Sequence, residues 1–566
     1  MIFRRKRLLG YGCLIRIVFL ILLVYGIYFF MLIQTPPGVT DTEIVTAERV
    51  QTGENAFSLG NSSIRKNKYG LWELYVEGAP FERGVLAGKL AKELVSGQED
   101  AFVTQMECLV PGRFYRNFLL LFISWFDKDL GDYIPEEYRR EIYGMSLSAS
   151  ERYDYIASGY QRLLNYHAAH DIGHALQEMH LAGCTSFSVW GGKSRDNKLI
   201  VARNFDLYLG DEFARDKIVS FVKPDSGYGF VSVSWGGMVG AVSGMNEKGL
   251  TVTINAAPSE IPFGARTPVS IVVREILQYA ADIEKALAVA RKRKIFVSEL
   301  FMIGSAVEGK AAIIEKTPEN MAILITAGNQ IICTNHYQTD FLLETPLNKE
   351  AVDAGPSLSR YHRVEELLAR SDSIDYLFAA SVLRDILGME DNDIGMGNEK
   401  AINQMNGHHS VVFEPESRKI WVSTQPWQLG AYVCYDLDEV LAKAPGLPAS
   451  EPLFIDSLTI SPDALLSHKE FDNYMFYRRF KALMIEALRT GSYRDIPEDS
   501  LDVFIASNPE NYQVYVLAGD YFSELSDMKK AISFYRKALT KRIATKPEET
   551  AIMEKLGDCS EKCQGN

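Results

Sequence analysis

Cysteine is scarce and irregularly placed in this chain of 566 residues. The seven cysteines are an odd number scattered from Cys13 to Cys563, which excludes a framework of disulfide bonds as the basis of the fold. The sequence also lacks zinc-finger spacing, a phosphate-binding P-loop and the glycine fingerprint of dinucleotide-binding sites. Its net charge of −13 argues against nucleic acid as a partner. We therefore expect chemistry carried by ordinary side chains, with no cofactor and no metal.

A cationic N-terminus precedes a long apolar run. Residues 4–7 are all arginine or lysine, and residues 17–33 are uncharged and mostly apolar. Together with the residues just before it, this run predicts a membrane span at 12–33, with residues 1–11 in the cytoplasm. A cleaved signal peptide is the alternative, but no small-x-small cleavage site follows. We therefore expect a single-pass membrane protein whose remaining residues lie outside the cytoplasm, in the periplasm if the source is Gram-negative.

Cys184 is the candidate nucleophile. Residues 184–190 and 199–206 are both rich in β-branched and aromatic side chains, and the polar residues 194–197 between them favour a turn. This pattern predicts an antiparallel hairpin in which Cys184 lies opposite or beside Asp206, with Arg203 close by. A thiol, a carboxylate and a guanidinium would then meet at the open end of one hairpin. A lone cysteine is otherwise most often a small buried hydrophobe.

The glycine before Cys184 suits self-cleavage of the Gly183–Cys184 bond. Glycine allows the backbone geometry that attack on its own carbonyl requires. The cut would free the α-amine of Cys184, and such a group titrates at about 7.7–8.0, so it can act as a general base at neutral pH. One residue would then supply both the nucleophile and the base.

Several segments, in this order, resemble those of the N-terminal-nucleophile hydrolases. They are Cys184-Thr185, Arg203-Asn204-Phe205-Asp206, residues 244–250 running to Asn255, Cys333-Thr334-Asn335, and Leu358-Ser359-Arg360-Tyr361. The chain is similar to the isopenicillin N acyltransferase-like peptidases and the choloylglycine hydrolases over roughly residues 63–440. The resemblance implies an α+β fold, a four-layer αββα sandwich of two antiparallel sheets between helical layers.

The resemblance also implies a role for each site residue. Cys184 would be the nucleophile, and Asp206 would hold the freed α-amine. Arg203 would polarise the thiol or pair with Asp206, and Arg360 would steady the cluster of Cys184 and Asp206. Asn255 would help to form the oxyanion hole, with Asn335 as a second donor or as a holder of the amine.

The function we expect is that of a membrane-anchored cysteine hydrolase, activated by its own cut between Gly183 and Cys184, that cleaves small-molecule N-acyl amides. An acyltransferase of the isopenicillin N acyltransferase type is the main alternative. Its acyl-CoA donor is cytoplasmic and would not meet an outward-facing enzyme, which favours hydrolysis. Two further alternatives are an uncut cysteine hydrolase with His336 or His408 as base, and a non-catalytic scaffold. Tyr208, Trp235 and Tyr337 indicate an apolar acyl pocket, although aromatic residues also build ordinary cores.

The remainder of the chain divides around this motif region. The predicted units are a polar linker at 34–62, a mainly helical pro-segment or small subunit at 63–183, the catalytic domain at 184–450 and a helical C-terminal region at 451–566. The last unit resembles one tetratricopeptide (TPR) repeat at 515–539. One repeat cannot bury its own apolar face, so it must pack on its neighbours, either as a cap or as a platform for a protein partner.

A histidine cluster lies just before the predicted cut. His167, His170 and His174 share one face of a predicted helix, and His180 follows. Three histidines can bind zinc. The proposed chemistry needs no metal, so we expect a polar helix packed against the site.

Overall fold

A computed structural model describes residues 34–564 except 41–42, 111, 176–182, 261–263 and 449, together with Leu20. In chain order its strands are β1 (Val50–Gly53), β2 (Ala56–Leu59), β3 (Ser62–Lys66), β4 (Trp72–Gly78), β5 (Thr185–Val189), β6 (Ile200–Phe205), β7 (Ile218–Pro224), β8 (Phe230–Ser234), β9 (Ser243–Asn246), β10 (Leu250–Ala256), β11 (Glu299–Ser305), β12 (Lys310–Lys316), β13 (Met321–Leu324), β14 (Gln330–Cys333), β15 (His409–Glu414), β16 (Lys419–Ser423), β17 (Tyr432–Asp436) and β18 (Phe454–Ile460).

The helices surround these strands. They are α1 (Glu43–Thr46), α2 (Pro80–Leu90), α3 (Lys92–Leu109), α4 (Arg113–Phe126), α5 (Leu130–Tyr133), α6 (Glu136–Ser146), α7 (Gly159–Ala175), α8 (Asp211–Arg215), α9 (Val269–Tyr279), α10 (Ile283–Lys292), α11 (Asp340–Leu343), α12 (Pro346–Ala354), α13 (Ser357–Ala369), α14 (Tyr376–Leu383), α15 (Leu437–Lys443), α16 (Lys469–Thr490), α17 (Asp499–Ser507), α18 (Tyr512–Glu524), α19 (Met528–Ala538) and α20 (Lys546–Gln564).

The strands form two sheets. The larger has the order β1-β2-β3-β4-β7-β8-β9-β10-β11-β12-β13, and the smaller has the order β14-β5-β6-β15-β16-β17-β18. Neighbouring strands are antiparallel except β4 and β7, which pair in parallel from Trp72 and Ile218 to Gly78 and Pro224. Strands near the middle of each sheet, such as β6 and β10, are buried along their whole length. Both faces of these strands are covered, yet their sequences contain polar residues such as Arg203 and Asn255, which face the space between the sheets.

Alternating side chains divide the interior into three apolar layers. One layer lies between the sheets and includes Tyr75 and Val201. A second covers the outer face of the larger sheet with helices such as α9, through residues such as Ile254. A third covers the outer face of the smaller sheet with α13 and α14, through residues such as Phe187. Helix, sheet, sheet and helix are therefore stacked in that order, as the resemblance implied.

The segment before the motif region is built into this sandwich. Residues 50–59 were predicted as part of a polar linker, but they form β1 and β2, and Ala56 and Leu59 are buried. The linker prediction for 34–62 is therefore wrong over these residues. The reason is that β1 has no buried residue and β2 is buried only at Ala56 and Leu59, so the sequence shows little of the apolar alternation that marks a strand. The unit predicted as mainly helical, 63–183, also supplies β4 to the middle of the larger sheet.

The C-terminal region packs on the rest of the chain. It begins with β18, which pairs with β17 in the smaller sheet, and continues as helices α16 to α20. The core of these helices also contains Met405, Trp427 and Leu429 from the preceding unit. A helical region is thus present, and its resemblance to a TPR repeat stays a prediction.

The predicted localisation requires a correction. Within the described residues, no helix is both long enough and apolar enough for a bilayer crossing. The longest described helix, α16, has 22 residues but carries charged side chains along its length, among them Asp472 and Lys481. The predicted single-pass protein with an extracytoplasmic catalytic domain is therefore not supported, and the span at 12–33 lies outside the described residues except for Leu20. The argument that favoured hydrolysis over acyl transfer on grounds of location fails with it.

A buried ionic cluster joins the early segment to the larger sheet's helices. Glu141 of α6 accepts hydrogen bonds from Arg83 of α2 at 2.7 Å and from Arg274 of α9 at 3.1 Å. Burial disfavours the Glu141 carboxylate, yet the two guanidinium groups outweigh this and lower its pKa. One buried carboxylate thus offsets the charge of two buried arginines, of which Arg83 precedes the predicted cut and Arg274 follows it.

We expect Glu141→Ala to destabilise the fold by about 3–5 kcal/mol, because it removes the buried carboxylate that the guanidinium groups of Arg83 and Arg274 both contact. The measurement is urea unfolding of the uncut full chain, with Cys184→Ala as the background. Glu136→Ala on the same helix is the control. Its pair with Arg140 is exposed, with side chains 58% and 46% accessible, so its loss should cost less than about 1 kcal/mol. Equal losses from the two variants would contradict this account.

Candidate active site

Cys184 lies at the start of the hairpin formed by β5 and β6. Thr185 pairs with Asn204 and Val189 pairs with Ile200, which places Cys184 level with Phe205 and one position from Asp206. The predicted hairpin is confirmed, with a connection centred one residue earlier than expected. Because side chains alternate along a strand, Cys184, Ser186 and Arg203 face the space between the two sheets.

Arg203 contacts the thiol and bridges the sheets. Its Nη2 lies 3.5 Å from Sγ of Cys184. The same guanidinium donates to the carbonyl of Val242, at 3.2 Å, and to the hydroxyl of Ser243, where the larger sheet's strand β9 begins. Arg203 is completely buried, so these partners supply the compensation that a buried charge requires.

Asp206 follows β6 directly and is held by side-chain amides. Nε2 of Gln428 donates to its Oδ1 at 3.0 Å, and Nε2 of Gln404 lies 3.4 Å from its Oδ2. Burial raises the pKa of Asp206 to about 7, against the opposing effects of Arg360, Gln428 and Arg203. Its backbone carbonyl accepts from the amide of Gly183 at 3.0 Å, so the residue before the thiol is tied to Asp206.

Arg360 of α13 reaches the site from the helical layer over the smaller sheet. Nη1 donates to the backbone carbonyl of Cys184 at 2.5 Å and to the hydroxyl of Thr185 at 2.9 Å. Nη2 donates to Oδ1 of Asn335 at 2.8 Å. Arg360 is therefore an internal, buried residue, and it connects the main chain of Cys184 to Asn335.

The two asparagines are placed differently. Asn335 is half-buried, and its Nδ2 donates to the carbonyl of Ala256 at 2.8 Å. Asn255 is fully buried on β10, where its Nδ2 donates to the carbonyls of Cys333 and Thr334 at 3.0 and 3.1 Å. Both amide hydrogens of Asn255 are thus engaged in holding the segment that leads to Asn335, and its Oδ1 accepts from Ser186.

The thiol is neutral in this environment. Burial raises the pKa of Cys184, and the positive charge of Arg203 opposes this only in part. The two histidines considered as alternative bases have other partners. His336 contacts Thr334 and Ser357, and His408 contacts His409. Burial lowers the pKa of His336 to about 4 and that of His408 well below its usual value, so both are neutral at pH 7.

Gln404 and Gln428 are site residues that the sequence motifs did not indicate. Gln404 also donates to the carbonyl oxygen of Gly183 at 2.5 Å. Both side chains come from irregular segments, before β15 and between β16 and β17, that no periodic pattern marks. A nearby feature that reflects this packing is Gly407. A Cβ atom there would clash with Gln428 and Asp206, so the glycine allows the two side chains to meet.

An apolar cavity adjoins the cluster on the side of the early segment. It encloses about 40 Å³ and is lined by residues that include Val95, Phe102, Leu163, Leu207, Phe213 and Trp235. Leu207 follows Asp206 in sequence, and Trp235 stacks on Phe205 with ring centres 6.5 Å apart. Of the three aromatic residues singled out in the sequence, Trp235 lines this cavity. Tyr337 is instead buried and bonded to the carbonyl of Pro258, and Tyr208 lies beside Arg478.

His167, the first member of the histidine cluster, is engaged at both ring nitrogens. Nδ1 lies 2.7 Å from the carbonyl of Leu163, and Nε2 accepts from the amide of Val239 at 2.9 Å. His167 therefore has a structural role, as expected for a polar helix that packs against the site: it connects α7 to the segment that contains Val239. The side chains of His170, His174 and His180 lie outside the described part of the structure.

Comparisons with known proteins place this geometry in context. Residues 192–426 match the family model of acyl-coenzyme A:6-aminopenicillanic acid acyl-transferase. This range contains Arg203, Asp206, Asn255, Asn335 and Arg360, and it begins eight residues after Cys184. An uncharacterised protein of Archaeoglobus fulgidus is 25% identical over 275 residues, which are 45% of each chain, so this chain spans about half the length of that curated relative.

Three solved structures are similar at low identity. The Caenorhabditis elegans N-acylethanolamine-hydrolyzing acid amidase ortholog is 15% identical, with a TM-score of 0.29 over 41% of this chain and 93% of that one. A mutant of the conjugated bile acid hydrolase of Clostridium perfringens is 16% identical, with a TM-score of 0.33 over 45% and 93%. Penicillin V acylase of Agrobacterium tumefaciens is 17% identical, with a TM-score of 0.30 over 45% and 87%.

The family match confirms the resemblance that the ordered motifs indicated. Residues 192–426 are similar to the acyl-coenzyme A:6-aminopenicillanic acid acyl-transferase family.

Proposed function

We propose that this protein is a cysteine hydrolase of small-molecule N-acyl amides that activates itself by cutting the Gly183–Cys184 bond. The observation that carries the proposal is the convergence of four groups at the start of β5. The thiol of Cys184 contacts Arg203, and the backbone carbonyl of Cys184 accepts a hydrogen bond from Arg360. Asp206 lies one position along the chain from the residue opposite Cys184. The family match supports amide hydrolysis or acyl transfer in general, and the assignment of roles to these residues is our proposal.

The proposed cut changes the chemistry of Cys184. Before it, the thiol is buried and neutral and has no α-amine beside it. After it, the free α-amine would take the thiol proton as a general base, and Arg203 would stabilise the resulting thiolate. Asp206 would hold the amine, because the amide of Gly183 already donates to the Asp206 carbonyl at this position.

The acyl carbon of a substrate would form a thioester with Cys184. We propose Asn335 as an oxyanion donor, since Arg360 orients its carbonyl oxygen and its side chain is half-buried rather than sealed off. One such donor commonly lowers the barrier by about 3 kcal/mol. Asn255, whose amide hydrogens are engaged, would act by holding the segment that carries Asn335.

The second step distinguishes hydrolysis from transfer. If water attacks the thioester, the protein is a hydrolase, and if an amine attacks, it is an acyltransferase. The family model gives the acyltransferase alternative its support. The apolar cavity at Leu207, the residue after Asp206, encloses about 40 Å³ and would admit only a small uncharged part of an acyl group unless its wall moves.

Fragment masses test the self-cleavage. We expect the purified chain to give pieces of about 20 and 43 kDa, from about 110 Da per residue on either side of the cut, and the larger piece to begin Cys-Thr-Ser-Phe. Cys184→Ala should stay intact and lose amidase activity by more than about 1,000-fold, because the nucleophile is gone. Intact mass and N-terminal sequencing measure both. An uncut wild-type chain with a reactive thiol would favour the uncut cysteine hydrolase, and an unreactive thiol would favour the scaffold.

The raised pKa of Asp206 predicts a pH-dependent effect on stability. Between its unfolded pKa of about 3.9 and its folded pKa of about 7, the folded state binds the extra proton, so this residue's contribution falls as pH rises. In a Cys184→Ala background, Asp206→Asn should therefore gain stability over its parent on going from pH 5 to pH 8, by on the order of 2 kcal/mol. Urea unfolding at the two pH values measures this difference.

Asp372→Asn provides the control for that experiment. The pKa of Asp372 is lowered by its hydrogen bond with Lys193, so the carboxylate stays ionised from pH 5 to pH 8. The difference from its parent should be constant over this range. A constant difference for Asp206→Asn as well would contradict the proposed environment of Asp206.

Enlarging the cavity should change acyl selectivity. Phe102→Ala removes a ring from the cavity wall, so kcat/KM for bulky acyl amides should rise about tenfold relative to short ones. A series of N-acyl amides of graded acyl size gives the measurement. Phe114→Ala, whose ring is 80% exposed on the next helix, is the control and should leave the ratio unchanged. The same unchanged ratio for Phe102→Ala would exclude this cavity as the acyl site.

A further inference from the structure

The carbonyl at the proposed cut has a side-chain donor already in place. Gln404 is buried, and its Nε2 lies 2.5 Å from the carbonyl oxygen of Gly183. The backbone is also fixed on either side of that carbonyl, by the amide of Gly183 on Asp206 and by Arg360 on the carbonyl of Cys184. The bond to be cut is thus presented in one orientation, with an amide N–H directed at the oxygen that would become charged.

The absence of a side chain at Gly183 is what admits this donor. A Cβ atom at that position would lie 2.7 Å from Nε2 of Gln404 and 2.8 Å from its Oε1. Any other residue would displace Gln404 from the carbonyl. Glycine before Cys184 therefore serves the approach of Gln404 as well as the backbone geometry of the attack.

We propose that Gln404 is the oxyanion donor for self-cleavage, an inference that rests on the proposed cut at Gly183. Attack of Sγ of Cys184 on the Gly183 carbonyl carbon forms a C–S bond and moves the carbonyl electron pair onto the oxygen that Gln404 contacts. The tetrahedral state then expels the nitrogen of Cys184, which receives the thiol proton, and leaves a thioester. Water adds to the thioester, which releases the carboxyl group of Gly183 and restores the thiol beside the new α-amine.

Gln428 differs from Gln404 in one informative respect. Both donate toward the carboxylate of Asp206, yet the contact with the Gly183 oxygen belongs to Gln404. Gln428 is therefore a matched control of the same residue type, equally buried, in the same cluster. An effect shared by both would be an effect on Asp206, and an effect specific to Gln404 would be an effect on the carbonyl.

The C-terminal region fixes the position of this donor. Met405, which follows Gln404, and Trp427, which precedes Gln428, both lie in the core of the C-terminal helices. The guanidinium of Arg478 on α16 also stacks over the Trp427 ring at 4.6 Å. Neither glutamine is on a strand or helix of its own, so packing against α16 and its neighbours gives these segments their rigidity.

The test follows the cleavage of full-length chains made in a short pulse of cell-free synthesis. The half-time for conversion of the precursor into the two fragments is measured for wild type, Gln404→Ala, Gln404→Met, Gln428→Ala and Cys184→Ala. Removal of an oxyanion donor slows a reaction by about 100-fold or more. We expect that delay for both Gln404 variants, a delay at least about tenfold smaller for Gln428→Ala, which loses only a contact with Asp206, and no cleavage for Cys184→Ala.

A second measurement separates chemistry from folding. In the uncut Cys184→Ala background, thermal unfolding midpoints of the Gln404 and Gln428 variants should agree within a few degrees. Gln404→Met keeps the length of the side chain and lacks the donor, so it decides the outcome if Gln404→Ala folds poorly.

Each other outcome has a definite meaning. If wild type stays uncut, the proposed function fails and the inference fails with it. If wild type is cut and Gln404→Met is cut at the same rate, the inference alone is overturned. If the Gln404 and Gln428 variants are slowed equally, Gln404 acts through Asp206, and the assignment as oxyanion donor is likewise overturned.

Discussion

The guanidinium of Arg203 lies between the two sheets and donates to both sides of the site. It contacts the thiol of Cys184, just before β5 of the smaller sheet, and the Val242 carbonyl and Ser243 hydroxyl, at the start of β9 of the larger one. A fully buried cation costs several kcal/mol unless polar partners surround it, so the sheets must approach each other with these groups in place. The position of Cys184 and the packing of the sandwich are therefore coupled through one side chain.

The rest of the site consists largely of neutral donors around buried charges. Amide side chains hold Asp206, and Arg360 is directed at a backbone carbonyl and at the amide oxygen of Asn335. Such groups keep their orientation in a low-dielectric interior without adding further charge to it. This arrangement is consistent with a site where charge develops only during reaction, because preorganised dipoles need no rearrangement at that moment.

Parts of this structure could be predicted because they depend on short stretches of sequence. The hairpin that carries Cys184 and Asp206 has strands only ten residues apart, so turn residues and β-branched runs determine its pairing. The family's ordered motifs identified Arg360, which packing then buries.

Other parts depend on contacts between distant residues. Gln404 lies 221 residues from Gly183, on an irregular segment, so no local pattern could relate them. The engagement of Asn255 with two carbonyls arises because β10 faces the end of β14 across the sandwich, which strand propensity does not reveal. The strands at 50–59 were missed because edge strands are short and carry a weak alternation.

The parallel pairing of β4 with β7 joins a strand that precedes Gly183 to a strand that follows it, within one sheet. A cut there would break the chain and leave the sheet intact. An uncut precursor would fold with both segments on one chain, at the high effective concentration that covalent linkage gives. Two separated pieces would have to find each other in a bimolecular encounter, in which β4, at the edge of the β1–β4 unit, pairs with β7. Maturation would thus make unfolding a one-way event, and the working lifetime of the protein would depend on its unfolding rate rather than on an equilibrium free energy.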